Sequence, residues 1–185
     1  MTAIPEGKRA ERVRQATRLA NSLVSRTQLC DDNCMQNNPE TLIRPSKGEG
    51  EYPELVKIWR SAVRATHDFL QEEDFGRIED NLASMYFPAV ALIVAERDGA
   101  PVGFAGVAEG NLEMLFVTNE VRGGGVGTLL LREAISSLGV TKVDVNEQNE
   151  GAHGFYLSRG FVQIGRDELD GDGRPYPTLH LKFSQ

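Results

Sequence analysis

A glycine-rich turn between an apolar run and a helical repeat constrains this chain more than any other feature. Residues 112–117 form a short, mainly apolar run typical of a buried strand. From Val126 onward, apolar residues recur at helical spacing. Four glycines stand at the junction: Gly123, Gly124, Gly125 and Gly127. A ligand can approach a backbone without Cβ atoms closely, and the free N–H groups at a helix start attract anions. The turn therefore predicts a phosphate-binding loop.

Two familiar phosphate loops do not fit this turn. A Walker loop requires a lysine after its last glycine, but Gly127 is followed directly by Thr128. The dinucleotide fingerprint requires a glycine three positions after Gly125, where Thr128 stands. Arg122, at the mouth of the turn, adds a permanently charged phosphate donor. A flexible strand-to-helix connection is the simpler interpretation, but it does not explain four glycines beside an arginine at a helix start.

Composition and charge limit the class of protein. A chain of 185 residues can form one domain with a substantial core. Its formal net charge of -7 argues against nucleic acid as a partner, because neutralising phosphates needs a clustered basic face. Two cysteines, Cys30 and Cys34, exclude a disulfide framework, and the histidines are not spaced to complete a zinc site, so no metal is expected. Without a membrane-spanning run or secretory signal, we expect a cytoplasmic protein with no membrane partner.

The chain divides into an N-terminal extension, residues 1–40, and a domain, residues 41–185. The extension is locally basic with patchy helical periodicity, which predicts a marginal helix or a poorly ordered segment. A transit peptide and a partner-binding arm are alternatives, although Glu6 and Glu11 weaken the first. In the domain we predict strands over residues 41–44, 90–96, 101–108, 112–117, 140–145, 161–168 and 178–183. Helices are predicted from Pro53, between residues 70 and 88, after the glycine turn, and after Asn149.

Two sequence motifs resemble those of the GCN5-related N-acetyltransferase (GNAT) superfamily. Arg122, Gly125 and Gly127 form Arg-x-x-Gly-x-Gly directly after a strand, which resembles motif A of that superfamily. A second pattern resembles its motif B and comprises Asn149, Ala152, Tyr156, Gly160 and Phe161. The resemblance covers residues 41–185, and short strings such as residues 65–70 and 145–149 resemble a small bacterial acetyltransferase subfamily of poorly defined acceptor. It implies an α/β (α+β) fold: a mixed, mainly antiparallel sheet of about six to seven strands flanked by helices.

The resemblance further implies direct acetyl transfer from acetyl-CoA, the acyl donor, to an amine of a small molecule or protein in a ternary complex. Motif A would hold the diphosphate of coenzyme A, and strand groups would pair with the pantetheine amides where two parallel strands splay apart. The implied cofactor-binding residues are Leu115, Phe116, Val117, Arg122, Gly123, Gly124, Gly125, Val126, Gly127, Thr128, Asn149 and Tyr156. Asn149 also reads as a helix cap. A CoA-binding sensor without catalysis, another acyl donor and a homodimer are left open.

Tyr156 and Glu113 are the catalytic residues that we predict. A phenol is mostly protonated at neutral pH and can donate to the departing thiolate, although Tyr156 beside Phe155 also reads as core. Glu113 is the predicted base, because strand alternation would place it on the same side as Leu115 and Val117. A surface carboxylate is an equally good interpretation of Glu113.

Three further residues are predicted to shape the acceptor pocket. His67 and Asp68 lie in the break between the first two helices, where the superfamily usually forms this pocket. His67 titrates in a useful range, but it also fits a role that only stabilises the turn. Tyr176 would line the same pocket from the last hairpin loop. The acidic composition is compatible with a cationic amine as acceptor.

Overall fold

Seven strands form one mixed sheet in residues 40–184, the part of the chain that the computed structural model describes. They are β1 Leu42–Pro45, β2 Ala91–Arg97, β3 Ala100–Ala108, β4 Asn111–Val117, β5 Lys142–Asn146, β6 Phe161–Asp167 and β7 Thr178–Phe183. Their order in the sheet is β1-β2-β3-β4-β5-β7-β6, and only β4 and β5 are parallel neighbours. The predicted mixed, mainly antiparallel sheet is confirmed. The N-terminal extension is predicted over residues 1–40, and residues 1–39 of it lie outside the described part.

Helices cover both faces of the sheet. They are α1 Tyr52–Thr66, α2 Glu72–Asn81, α3 Val126–Leu138 and α4 Glu150–Leu157. One face packs against α1 and α2, in a core that includes Trp59 and Phe104. The other face packs against α3 and α4 around Leu130, Ala134 and Leu181. No helix within residues 40–184 is long and apolar enough to cross a bilayer.

The hairpin turns follow the local sequence signals. Asp98 and Gly99, between β2 and β3, both have positive φ, at 50° and 78°. Glu109 and Gly110, between β3 and β4, repeat this conformation at 51° and 76°. Two consecutive residues with positive φ define the tight turn that matches the twist of antiparallel strands. Strands β2, β3 and β4 are therefore joined by two tight turns into consecutive antiparallel pairs.

The end of the second helix differs from its apolar periodicity. The pattern predicts a continuous buried stripe through Met85, but α2 ends at Asn81 and a π-helical turn, Leu82–Tyr86, follows. Leu82 is buried, whereas Met85 is 42% exposed. A π turn has a wider repeat than an α-helix, so it rotates the later side chains away from the core.

The junction of β4 and β5 creates the opening that holds the site. These two strands pair over only two residue pairs, Asn111 with Lys142 and Leu112 with Val143. Beyond Leu112 they separate, so the edge of β4 that faces β5 has no strand partner there. The crossover from β4 to β5 runs through the glycine-rich turn and α3, which places the turn above this gap.

Candidate active site

A cleft of about 320 Å³ opens where β4 and β5 separate. Its walls come from the end of α1, the second half of β4, the glycine-rich turn, the first turn of α3 and one side of α4. Among the predicted site residues it is lined by His67, Leu115, Phe116, Val117, Arg122, Gly123, Gly125, Val126, Gly127, Thr128, Asn149 and Tyr156. Residues more than 80 positions apart in the chain thus line one cleft.

The glycine-rich turn presents free backbone donors to the cleft. Gly125 is the N-cap of α3 with φ of 83°, a conformation that side chains other than glycine rarely adopt. Its carbonyl accepts hydrogen bonds from the N–H groups of Thr128 and Leu129. Within the described chain, the N–H groups of Gly123 and Gly125 make no backbone hydrogen bond. Together with the first N–H groups of α3, they form an anion-binding cradle.

Gly124 has a different role from its neighbours. Its N–H donates to the carbonyl of Val121 at 3.1 Å, so this amide is already engaged, and Gly124 does not line the cleft. Its carbonyl accepts a hydrogen bond of 3.2 Å from Nη2 of Arg97. Nε of Arg97 donates to Oγ1 of Thr41 at 2.7 Å. Gly124 is therefore part of the frame that shapes the loop, and Arg97 holds that frame from the end of β2.

Arg97 is a buried cation behind the phosphate loop. It is only 9% exposed, and the ion pairs of the described chain do not include it. Its two hydrogen-bond acceptors are neutral oxygens. A buried positive charge without a carboxylate partner is costly, and an anion in the adjacent loop would reduce that cost.

Two further arginines reach the cleft. The side chain of Arg122 is exposed and makes no hydrogen bond or ion pair within residues 40–184. A Cβ built on Gly151 would lie 3.6 Å from Nη2 of Arg122, so the guanidinium stands against the start of α4. Arg159 donates from Nη2 to Oγ1 of Thr128 at 2.6 Å, and its guanidinium lies 3.8 Å from the centre of the Phe155 ring. Both cations can meet phosphate oxygens.

Asn149 caps α4 as predicted. Its Oδ1 accepts a hydrogen bond of 3.0 Å from the N–H of Ala152. The helix continues through Gly151 and Gly154, although glycine in a helix costs about 1 kcal/mol relative to alanine. A Cβ at Gly151 would make only ordinary van der Waals contact with Arg122, and one at Gly154 would meet open space, so neither position requires glycine for steric reasons.

Tyr156 lies at the bottom of the cleft. Its ring is 6% exposed and packs edge-on against Phe155 and Phe161, with centroid distances of 5.1 Å and 5.5 Å. The hydroxyl makes no hydrogen bond to any described residue, although Tyr156 lines the cleft. Burial raises the pKa of this phenol well above its ordinary value. The side chain is thus both core and cleft wall, and the two interpretations from sequence are compatible.

His67 stands at the opposite side of the cleft, just after the end of α1. Its Nδ1 lies 2.7 Å from Oγ1 of Thr66, and its Nε2 lies 3.4 Å from Nδ2 of Asn149. Burial lowers the pKa of His67 to about 4, against a smaller opposing effect of the neighbouring Asp68. The imidazole is therefore neutral at physiological pH.

Glu113 lies at an irregularity of β4. The register of β3 and β4 passes from Met114 opposite Gly106 to Leu112 opposite Val107, so Glu113 is the extra residue of a β-bulge. Glu113 does not line the cleft, whereas Leu115 does.

Glu113 belongs instead to a polar group at the start of β4. Its Oε1 accepts a hydrogen bond from Asn111, whose amide also reaches Asp144. Desolvation raises the pKa of Glu113, Asn111 opposes the rise, and the nearby charge of Asp144 adds to it. None of these three side chains lines the cleft.

Tyr176 and Asp68 do not line the cleft either. The hydroxyl of Tyr176 donates to Oδ2 of Asp74 at 2.6 Å and accepts from the N–H of Gln71 at 3.3 Å. Asp74 is 2% exposed and also pairs with Arg174 at 2.9 Å. Tyr176 thus fixes the loop between β6 and β7 to the start of α2. Asp68 is exposed and follows His67 directly in the chain.

Sequence reasoning missed Arg97, Arg159 and Asp74. Arg97 precedes a predicted hairpin, where an arginine normally reads as a surface residue. Asp74 lies in the run Glu72-Glu73-Asp74, which reads as a solvated helix start. Arg159 offered a usable signal, since it lies three residues after Tyr156 and so on the same side of the helix.

The chain also matches a known protein family. The family model described as an acetyltransferase (GNAT) domain matches residues 62–179. This chain belongs to the GNAT acetyltransferase family. The predictions of the superfamily, the fold class and an acetyl-CoA-dependent N-acetyltransferase are confirmed at the level of the family.

Named relatives and solved structures support this membership. The GNAT chain is 46% identical over 143 residues to the peptidyl-lysine N-acetyltransferase YjaB of Escherichia coli, covering 76% of this chain and 95% of that protein. The solution structure of apo YjaB from Escherichia coli has a TM-score of 0.71 at 42% identity, covering 78% and 97% of the two chains. A crystal structure of the PaiA N-acetyltransferase of Thermoplasma acidophilum with coenzyme A shares the fold, with a TM-score of 0.62 at 19% identity over 78% and 99%.

No group of three or more His, Cys, Asp or Glu side chains in residues 40–184 is arranged to hold a metal ion.

Proposed function

We propose that this acetyltransferase moves the acetyl group of acetyl-CoA to the ε-amine of a lysine in a protein, by direct transfer in a ternary complex. Two relatives named peptidyl-lysine N-acetyltransferase, at 46% and 41% identity, support lysine as the acceptor. Both comparisons span 76% of this chain.

One observation carries the proposal: a single cleft joins an anion cradle, an unpaired strand edge and an unengaged phenol. The cradle supplies N–H groups of Gly123 and Gly125 and the cations Arg122 and Arg159 for the diphosphate. An extended pantetheine arm would then lie along β4, whose free edge offers backbone donors and acceptors. The phenol of Tyr156 lines the cleft at the inner end of that path.

The proposed transfer needs a polarised carbonyl and a protonated leaving group. A backbone N–H of β4 near Leu115 or Val117 would donate to the thioester oxygen, where negative charge develops as the amine attacks. The Tyr156 hydroxyl would give its proton to the departing sulfur. Its raised pKa keeps the phenol protonated through the physiological range. Asn149, at the start of α4, would contact the pantetheine amide with its side chain.

The acceptor would enter at the end of α1. The side chains there are small or neutral, with Ala62, Ala65 and His67 on the cleft wall. A lysine side chain is long and unbranched, so it can pass a narrow entrance while its peptide backbone stays outside. The exposed carboxylate of Asp68, which follows His67 in the chain, favours a cationic side chain over an anionic one.

Two matched peptides test the proposal. One carries a blocked N-terminus and a single lysine; the other carries a free N-terminus and arginine in place of the lysine. Thiol release from acetyl-CoA and the mass of each peptide are measured with the full chain. We expect acetylation of the lysine peptide alone. Transfer only to the free N-terminus contradicts lysine as the acceptor, and coenzyme binding without thiol release from any amine identifies a sensor.

A further inference from the structure

A chain of hydrogen bonds crosses the cleft from the start of α4 to the end of α1. The N–H of Ala152 donates to Oδ1 of Asn149 at 3.0 Å. Nδ2 of Asn149 lies 3.4 Å from Nε2 of His67. Nδ1 of His67 lies 2.7 Å from Oγ1 of Thr66, which donates to the carbonyl of Ala62 at 2.8 Å. Each of these side chains borders the cleft.

This chain fixes the tautomer of His67. Because Oδ1 of Asn149 accepts from a backbone N–H, its Nδ2 is the atom that faces the imidazole. Nδ2 can only donate, so Nε2 of His67 must carry the lone pair. The single hydroxyl proton of Thr66 is donated to a carbonyl, so Oγ1 accepts from Nδ1–H of His67. Both ends of the chain assign the same tautomer.

The lone pair on Nε2 of His67 accepts only a weak hydrogen bond, from a residue that also lines the cleft. The 3.4 Å contact from Asn149 is at the long end for a hydrogen bond, so an amine N–H can replace it at little cost. The charged and titratable groups around His67 are Asp68 beside it, Arg122 across the cleft and Tyr156 on α4. Glu113, the alternative base, lies on a β-bulge outside the cleft wall.

We propose that Nε2 of His67 is the proton acceptor for the attacking amine. This inference rests on the proposed function. The neutral amine attacks the thioester carbonyl carbon, and the carbon–sulfur bond breaks with its electron pair passing to sulfur. The proton of the Tyr156 hydroxyl goes to that sulfur, and the surplus proton of the new amide nitrogen goes to Nε2 of His67. Water then carries one proton from His67 back to Tyr156, so the cycle closes.

The low pKa of buried His67 decides which amine proton it can accept. The low pKa of His67, about 4, keeps the imidazole unprotonated at every working pH, so its lone pair is always available. The free lysine ammonium is too weak an acid to give such a group its proton. The amine attached to the thioester carbon is far more acidic, and transfer therefore accompanies or follows the attack.

Two variants separate the rival bases. His67→Gln keeps a hydrogen-bonding side chain without a basic nitrogen, and Glu113→Gln removes the other candidate. We measure kcat with the lysine peptide and the dissociation constant of acetyl-CoA for both. His67→Gln should lower kcat about 100-fold and leave acetyl-CoA affinity within about twofold. Glu113→Gln should retain most of its turnover. The reverse pattern, or unchanged turnover in His67→Gln, overturns the proposal.

Chemical rescue and the wild-type protein complete the test. Imidazole added to His67→Ala should restore turnover in proportion to its concentration, which a structural role of His67 would not produce. Nitrogen NMR of the wild-type chain should show an unprotonated Nε2 and a protonated Nδ1; the opposite tautomer overturns the proposal without any variant. Absence of transfer by the wild-type chain with every amine would instead refute the proposed function.

Discussion

Tyr156→Phe separates the chemical role of Tyr156 from its structural role. The substitution removes one oxygen that has no hydrogen-bond partner in the described chain and keeps the ring contacts to Phe155 and Phe161. No polar group is left unpaired, so the free energy of unfolding should change by less than about 0.5 kcal/mol. A positioned general acid contributes at least about 100-fold, so kcat should fall by that factor, about 2.7 kcal/mol in the barrier.

The assay follows thiol release at saturating lysine peptide, together with the dissociation constant of acetyl-CoA and the denaturation midpoint. Affinity and midpoint should match the wild-type values while kcat falls. Tyr52→Phe is the matched control, because it removes the same atom from a ring that packs against Phe87 away from the cleft. Unchanged turnover in Tyr156→Phe would refute the acid role, and a lower midpoint would show that the hydroxyl has a structural partner.

Three other predictions concern charged groups. Arg122→Ala should weaken acetyl-CoA binding about tenfold by calorimetry, because it removes a charged phosphate donor; equal affinity would contradict the contact. Arg97→Met should weaken acetyl-CoA binding to a similar degree, about tenfold, but not that of acetyl-pantetheine, which lacks the diphosphate; equal losses would assign Arg97 to general stability. The hydrogen bond from Tyr176 lowers the pKa of Asp74, so its ionised form stabilises the fold above its ordinary value of 3.8 and this stability is lost as pH falls through the lowered pKa. Asp74→Asn should therefore lower the denaturation midpoint at neutral pH and flatten its decrease in acid; a parallel decrease would refute the assignment.

Local sequence signals were sufficient for most of the fold. Asp98-Gly99 and Glu109-Gly110 predict their turns because each pair ends in glycine, which adopts the positive φ that such turns require. Leu55, Ile58, Trp59 and Val63 predict the buried side of α1 because helical spacing places them together. The end of α2 could not be predicted in this way, since a π turn changes the repeat without a distinct sequence signal.

The glycine-rich turn was likewise predictable from the local sequence. Its proposed function depends on backbone N–H groups that are free at every helix start, and glycine is the residue that lets a ligand approach them. The different roles of its glycines were not predictable from the sequence. Gly124 uses both its N–H and its carbonyl inside the protein, and its partner Arg97 lies 27 positions away in the chain.

Strand alternation alone did not predict where Glu113 lies. Glu113 lies at a β-bulge of β4 and does not line the cleft, and a β-bulge leaves no reliable trace in a short strand sequence. The position of Tyr176 depended likewise on a distant partner, since Asp74 lies 102 positions away. The family resemblance predicts the loop that contains His67. Its tautomer follows only from the hydrogen bonds to Thr66 and Asn149.

A crystal structure of this chain with bound coenzyme A tests the central claim most directly. The account predicts diphosphate oxygens within hydrogen-bonding distance of the N–H groups of Gly123, Gly125 and Gly127, and the thiol in the gap between β4 and β5 near Tyr156. A diphosphate bound at any other surface, or a thiol outside that gap, would contradict the account.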